Sequence, residues 1–128
     1  MIYADTDLFL ALVKSEDWLR KNAVEIVKKN KGDIVTSVVT VVESLLVCRR
    51  HGIDTEEMVG SIFGIAQVYG LSNEDAMQVA HLIKAENVGV FDSFHAVLSR
   101  DISIVSSDKV YDRLGKERIK LESNSMFS

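Results

Sequence analysis

Four acidic residues stand out by their surroundings. Asp5 closes a short apolar run, Ile2-Tyr3-Ala4, at the start of the chain. Glu43 interrupts a long apolar stretch, Val38 to Cys48. Asp92 follows Val90-Phe91, and Asp108 follows the apolar run around Ile104-Val105. An unpaired carboxylate is expensive beside so much apolar sequence, so each needs a reason to be there. The four are separated by 38, 49 and 16 residues, and only a fold can bring them together. Brought together bare, they would raise one another's pKa by like-charge repulsion. A hard divalent cation resolves that conflict. Mg²⁺ and Mn²⁺ take oxygen ligands and keep waters for chemistry, and either would supply positive charge to a phosphate substrate.

That charge would have to come from a cofactor. Lys plus Arg number 15 against 19 Asp plus Glu, a net charge of −4 with a pI near 5.3, so no bulk basic surface exists for a polyanion. The basic clusters Lys28-Lys29-Lys31 and Arg49-Arg50 read as solvated helix ends. With 128 residues, 47% hydrophobic and 27% charged, the chain has the makeup of one globular domain over 1–128, not of a disordered or low-complexity one. Its lone Cys48 excludes an internal disulfide and reads as a small buried hydrophobe. The first residues lack a basic region followed by a long apolar core, and no apolar run reaches the roughly 20 residues of a membrane span. No membrane association and a reducing cytoplasm are the expectation.

The elements that must position these acids alternate. Strands are expected at 2–5, 34–36, 102–106 and 118–121. Helices are expected at 8–13, with Asp7 as N-cap, and at 17–29, with Trp18, Leu19, Ala23, Ile26 and Val27 on its apolar stripe and Gly32 as its stop. Residues 35–42 are rich in β-branched types, but no turn signal occurs before Gly52, and a strand of that length would be too long. The run is therefore read as a helix over 38–51. Further helices are expected at 55–69, weakened by Gly60 and Gly64, at 72–86, opened by a Ser72/Asp75 capping box, at 92–99, and at 108–114, ended by Gly115. Residues 88–91 read as a link, and the tail 123–128 as frayed. Short apolar strands between helices imply an α/β fold, a three-layer α/β/α arrangement around a parallel sheet of four to five strands. Ligands of such folds bind beyond the carboxyl ends of the strands, where the acids lie.

The same residues carry a resemblance. Ile2-Tyr3-Ala4-Asp5-Thr6-Asp7-Leu8-Phe9-Leu10, Thr36 to Glu43, Phe91-Asp92-Ser93-Phe94-His95-Ala96 and Ile104 to Asp112 resemble, in order, the four motifs of PIN domains. Among these, the chain is similar to VapC-like toxin ribonucleases of toxin–antitoxin pairs. Asp7 stands where that family has Ser or Asn, and Val110 replaces a frequent acid, which leaves Asp108 as the fourth-acid candidate. The resemblance implies a metal-dependent endoribonuclease with Asp5, Glu43, Asp92 and Asp108 as catalytic and metal-binding residues. Thr6, Asp7 and Ser106 would support them. It also implies Mg²⁺ or Mn²⁺ as cofactor, RNA as substrate, an antitoxin protein as inhibitor and a homodimer as working unit.

Each residue has a plainer reading. Asp7, Asp92 and Asp108 suit helix N-caps, Glu43 could close a capping box with Thr40, and His95 reads as a packed or surface histidine rather than a general base. Two other functions compete: a PIN fold kept only as a binding module, and a phosphatase of the haloacid dehalogenase type with Asp5 as nucleophile. The second lacks the threonine expected after its motif, where Phe9 stands.

Overall fold

Strand β1 (Ile2–Ala4) runs through the middle of the molecule and sets its two faces. Successive strand residues point to opposite sides. Ile2 and Ala4 enter one apolar cluster and Tyr3 the other. The same split occurs in β2 (Ile34–Ser37), between Ile34 and Val35, and in β4 (Ile104–Ser106), between Val105 and Ile104. Both faces are therefore dry, as parallel strands require. The computed structural model describes residues 1–14 and 16–123. The tail expected to fray lies outside the described residues from 124 onward.

The sheet has five parallel strands in the order β3-β2-β1-β4-β5, with β3 at Gln67–Tyr69 and β5 at Arg118–Lys120. Tyr3 is in register with Val35 on one side and Ile104 on the other. The chain builds outward from β1 to β3, then restarts at β4 on the opposite side of β1. The topological switch point thus falls between the carboxyl ends of β1 and β4.

The first face is covered by α1 (Thr6–Val13), α2 (Arg20–Lys29) and α4 (Thr55–Ile65), through Leu8, Phe9, Ala11, Ala23, Met58 and Ile62. The second is covered by α6 (Val90–Leu98) and α7 (Val110–Arg113), through Ala96, Leu98 and Tyr111, with Leu82 of α5 (Asn73–Glu86) packed against them. Helix α3 (Val38–His51) reaches both clusters, through Val39 and Cys48. This is the expected three-layer arrangement.

The β-branched run after β2 does turn helical at Val38, and Gly52 ends α3 at φ +67°, a conformation other residues adopt only under strain. The capping box of Ser72 and Asp75 opens α5 as expected. Several expectations need correction. The segment 55–69 is not one helix: α4 stops at Ile65, and 67–69 is the edge strand β3, paired with β2. Three residues with one exposed and two half-buried side chains carry too little periodicity to announce a strand. Helix α1 begins at Thr6, two residues earlier than expected, so its N-cap is Asp5 and not Asp7. Helix α2 begins at Arg20, with the Asp17 carboxylate accepting from the Leu19 N–H, and Trp18 lies outside the buried stripe at 74% exposure. Helix α6 begins at Val90, capped by Gly89, which puts Asp92 in its first turn rather than at its cap.

Candidate functional site

The site forms because three connections end at the switch point. Asp5 leaves β1 and caps α1, its Oδ1 accepting from the Thr6 N–H at 2.6 Å. Across the gap, Ser106 at the end of β4 donates its hydroxyl to Asp5 Oδ2 at 2.8 Å. The same Ser106 oxygen accepts from the Asp108 N–H at 3.0 Å, so one side chain fixes both acids. Two further groups reach Asp5. His95 Nε2 lies 3.3 Å from Oδ1, and Tyr111 donates toward Oδ2 at 3.3 Å. Asp5 is 5% exposed and its two oxygens face four donors.

Glu43 comes from the middle of α3. Its Oε1 accepts from the Thr6 hydroxyl and lies 2.8 Å from His95 Nε2. The Thr40 capping box is not formed, because α3 starts at Val38 with Ser37 as its N-cap, which puts Thr40 inside the helix, and Glu43 bonds Thr6 and His95 instead. Asp92 is half-buried and accepts from the Tyr111 hydroxyl at 3.4 Å, so this hydroxyl, with one proton, stands between Asp5 and Asp92. Asp108 Oδ1 accepts from the Val110 N–H at 2.9 Å, which makes it the turn-former before α7 as well as a neighbour of Asp92. Asp7 does not cap. Its Oδ2 accepts from the Ser107 hydroxyl at 2.5 Å and the Ser107 N–H at 3.3 Å, tying α1 to the loop after β4.

Electrostatics here follow from crowding. Burial, with Asp7 and Glu43 adding to it, pushes the Asp5 carboxyl up to about 7, and the opposing pull of His95 does not undo that. Burial, then Asp108 and Glu43, also raises Asp92. Glu43 moves the other way: burial raises it, but the hydrogen bonds from His95 and Thr6 together hold it below the usual carboxylate range. For His95, burial disfavours the charge, yet Asp5 and then Glu43 outweigh burial and hold the imidazole above its ordinary value. Burial keeps Tyr3 and Tyr111 protonated. Among the described residues, no Lys or Arg forms an ion pair with Asp5, Glu43, Asp92 or Asp108.

This donor set suits a hard cation. The Asp5 and Glu43 carboxylates lie with His95 within 4.8 Å of one another, and Asp92, itself a neighbour of Glu43 and Asp108, adds a further carboxylate beside that tight group. Positive charge placed among them would relieve the repulsion that lifts Asp5 and Asp92.

The residue that sequence reasoning undervalued is His95. It is fully buried, so the packed rather than the surface reading holds, and it joins Asp5 and Glu43 on one side to Tyr3 on the other. The signal was present in its i+3 spacing from Asp92, which puts both on one face of α6. Tyr3 gave no signal, since a tyrosine inside a strand is ordinary.

The PIN domain family matches the chain over residues 2–117. No curated protein matches it in sequence. Solved structures share its fold at low identity. VapC20 of Mycobacterium tuberculosis, described as a toxin cleaving the sarcin–ricin loop, superposes with a TM-score of 0.81 at 15% identity, covering 94% of this chain and 99% of that one. A toxin–antitoxin complex from Klebsiella pneumoniae gives 0.75 at 10% identity, covering 97% and 100%. VapBC2 of Rickettsia felis, bound to a fragment of its promoter DNA, gives 0.67 at 13% identity, covering 94% and 98%.

Proposed function

The chain belongs to the PIN domain family, and we propose that it is a divalent-metal-dependent endoribonuclease, the toxin of a toxin–antitoxin pair. One observation carries this reading: Asp5, Glu43 and Asp92 crowd the carboxyl ends of β1 and β4 with no Lys or Arg among the described residues paired to them. In this reading residues 1–128 form a single PIN-like domain, working in the cytoplasm. Among the described residues no helix is long and apolar enough to cross a membrane.

Asp5, Glu43, Asp92 and Asp108 would hold Mg²⁺ or Mn²⁺. When bound, such an ion supplies positive charge to the scissile phosphodiester and lowers the pKa of the attacking water. The chain's own residues do the positioning. Ser106 sets Asp5 and the Asp108 backbone together, and Thr6 fixes both Asp5, through its N–H, and Glu43, through its hydroxyl. Asp7 anchors the loop that carries Asp108. Asp92, raised by burial and then by Asp108 and Glu43 and only half-buried, is the acid suited to exchanging a proton with solvent.

The structural relatives named as toxin–antitoxin complexes support an antitoxin partner. Val38, Val42, Leu45 and Leu46 form an exposed apolar stripe on α3, surface of the kind a protein partner covers, and a homodimer is part of the proposal. The phosphatase reading loses ground, because Asp5 as nucleophile would be 5% exposed with both oxygens already occupied.

The test is cleavage of a labelled single-stranded RNA by antitoxin-free protein, with Mn²⁺ or Mg²⁺, with EDTA, and with Asp92→Asn. Cleavage is expected to need both the metal and Asp92. Cleavage that persists in EDTA or in the variant would sink the reading. Loss of both cleavage and Mn²⁺ binding in the wild type would favour the binding-module alternative.

A further inference from the structure

We infer that His95 is a positioning residue: its Nε2–H clamps Glu43 and Asp5 from beneath, braced by Tyr3 and Ser37, and it does not ligate the metal. The inference rests on the metal-site reading above. It begins from location. The His95 side chain is wholly buried, behind the two carboxylates and away from solvent, so neither RNA nor an attacking water reaches the ring.

The hydrogen-bond geometry then decides where a proton sits. Nε2 is 2.8 Å from Glu43 Oε1 and 3.3 Å from Asp5 Oδ1. Glu43 Oε1 already accepts from the Thr6 hydroxyl, so a bare Nε2 lone pair facing it at 2.8 Å would set acceptor against acceptor in an interior with little water to screen it. Nε2 therefore carries hydrogen. On the other side of the ring, Nδ1 is 2.8 Å from the Tyr3 hydroxyl, which is 2.8 Å from the Ser37 hydroxyl. Two hydroxyls in series can donate toward Nδ1 or accept from it. The brace therefore tolerates either charge state of the ring while holding its orientation, and the Glu43 oxygen dictates the hydrogen on Nε2. A role as metal ligand would need the opposite, a bare Nε2.

The consequence concerns Glu43. Its Oε1 receives both the Thr6 hydroxyl and His95, which pins the carboxylate and leaves Oε2 for a cation. Because Tyr3 sits on β1, Ser37 at the end of β2 and His95 on α6, the brace ties the strands that carry Asp5 and α3 to the helix that carries Asp92. The acids of three separate elements are referenced to one imidazole.

Three measurements test this on the full-length protein. Long-range ¹H–¹⁵N NMR of the histidine ring, without metal and with Mg²⁺, is expected to show Nε2 protonated in both. Pulsed EPR of bound Mn²⁺ is expected to show no directly coordinated imidazole nitrogen. Mn²⁺ titration is expected to weaken by about 10–100-fold in His95→Leu, the range for groups that orient ligands. His95→Gln, whose amide nitrogen falls near the Nε2 position, should recover most of that affinity, and Tyr3→Phe should lose less than His95→Leu. A nitrogen coupling to Mn²⁺, an unprotonated Nε2, or a Gln variant that folds but binds no better than Leu would each overturn the inference. Wild-type protein that binds no Mn²⁺ would overturn the metal-site reading instead, and the NMR would still decide the clamp.

Discussion

Replacing Asp5 by Asn should make the metal-free protein more stable at pH 8 and should not do so at pH 4. Asp5 has an ordinary pKa of 3.8 and is pushed to about 7 in the fold. The sign follows directly. Below pH 3.8 the carboxyl is protonated in both folded and unfolded chains, and the fold bears no penalty. As pH rises from there to about 7, the unfolded chain gains by ionising and the folded one does not, so stability falls across that window and then levels off. About three units at 1.36 kcal/mol each give a ceiling near 4 kcal/mol. Asn keeps one acceptor oxygen for the Thr6 N–H and His95, but turns an NH₂ toward Ser106 and Tyr111, whose hydroxyls must rotate to accept. That rearrangement costs about 1–2 kcal/mol. The net gain is about 2 kcal/mol at pH 8, and at pH 4 the variant should be the less stable of the two. Urea unfolding in EDTA across pH 4 to 8 measures both arms. Saturating Mn²⁺ should then reverse the order, since at about 100 times its Kd a ligand adds roughly 2.7 kcal/mol to the wild type alone. An Asn variant that is less stable at pH 8, or a difference independent of pH, would refute the argument that crowding and burial destabilise this carboxylate.

Glu43 should show the opposite limb. Its folded pKa is held below 4.5, so its stabilising contribution is present above that value and fades as pH falls, and Glu43→Gln should flatten the acid side of the stability profile. Tyr111→Phe removes the hydroxyl between Asp5 and Asp92 without emptying the core, and should cost about 1.5–3 kcal/mol in EDTA while enlarging the stabilisation given by Mn²⁺, read by thermal unfolding. Leu98→Ala, wholly buried in the second cluster, should cost about 2–5 kcal/mol by urea titration. Gly52→Ala strains a residue at φ +67° and should cost about 1 kcal/mol, with Mn²⁺ affinity unchanged by titration.

Much of the architecture was legible because its signals are local. The capping box at Ser72 and Asp75, Gly52 at the end of α3, the glycines in the turns after α2 and α7, and the apolar runs of β1 and β4 each act within a few residues. The reading of α3 succeeded by length: no strand of this sheet could hold the run from Ile34 to Arg50. Strand β3 was lost for the reverse reason. Gln67-Val68-Tyr69 becomes a strand through pairing with Val35 to Ser37, a partner 32 residues earlier, and its own pattern is too short to say so. Asp7 was expected to cap α1, and Asp5 caps it instead while remaining in the acid cluster. The choice between them depends on Ser107, which takes Asp7 away, about a hundred residues on.

The acids themselves were visible as chemically costly residues in apolar surroundings, and their types already pointed to a hard cation. By itself the sequence determined the alternation of elements, the two-sided burial of the strands and the identity of the acids, because periodicity, caps and side-chain chemistry belong to the residues. Only the tertiary structure decided how the acids are held. His95 reaches Glu43 across 52 residues and Tyr3 across 92, and Ser106 reaches Asp5 across 101. A buried polar group must find a partner, but which one depends on where the folded sheet brings the strand ends, and no local pattern encodes that meeting.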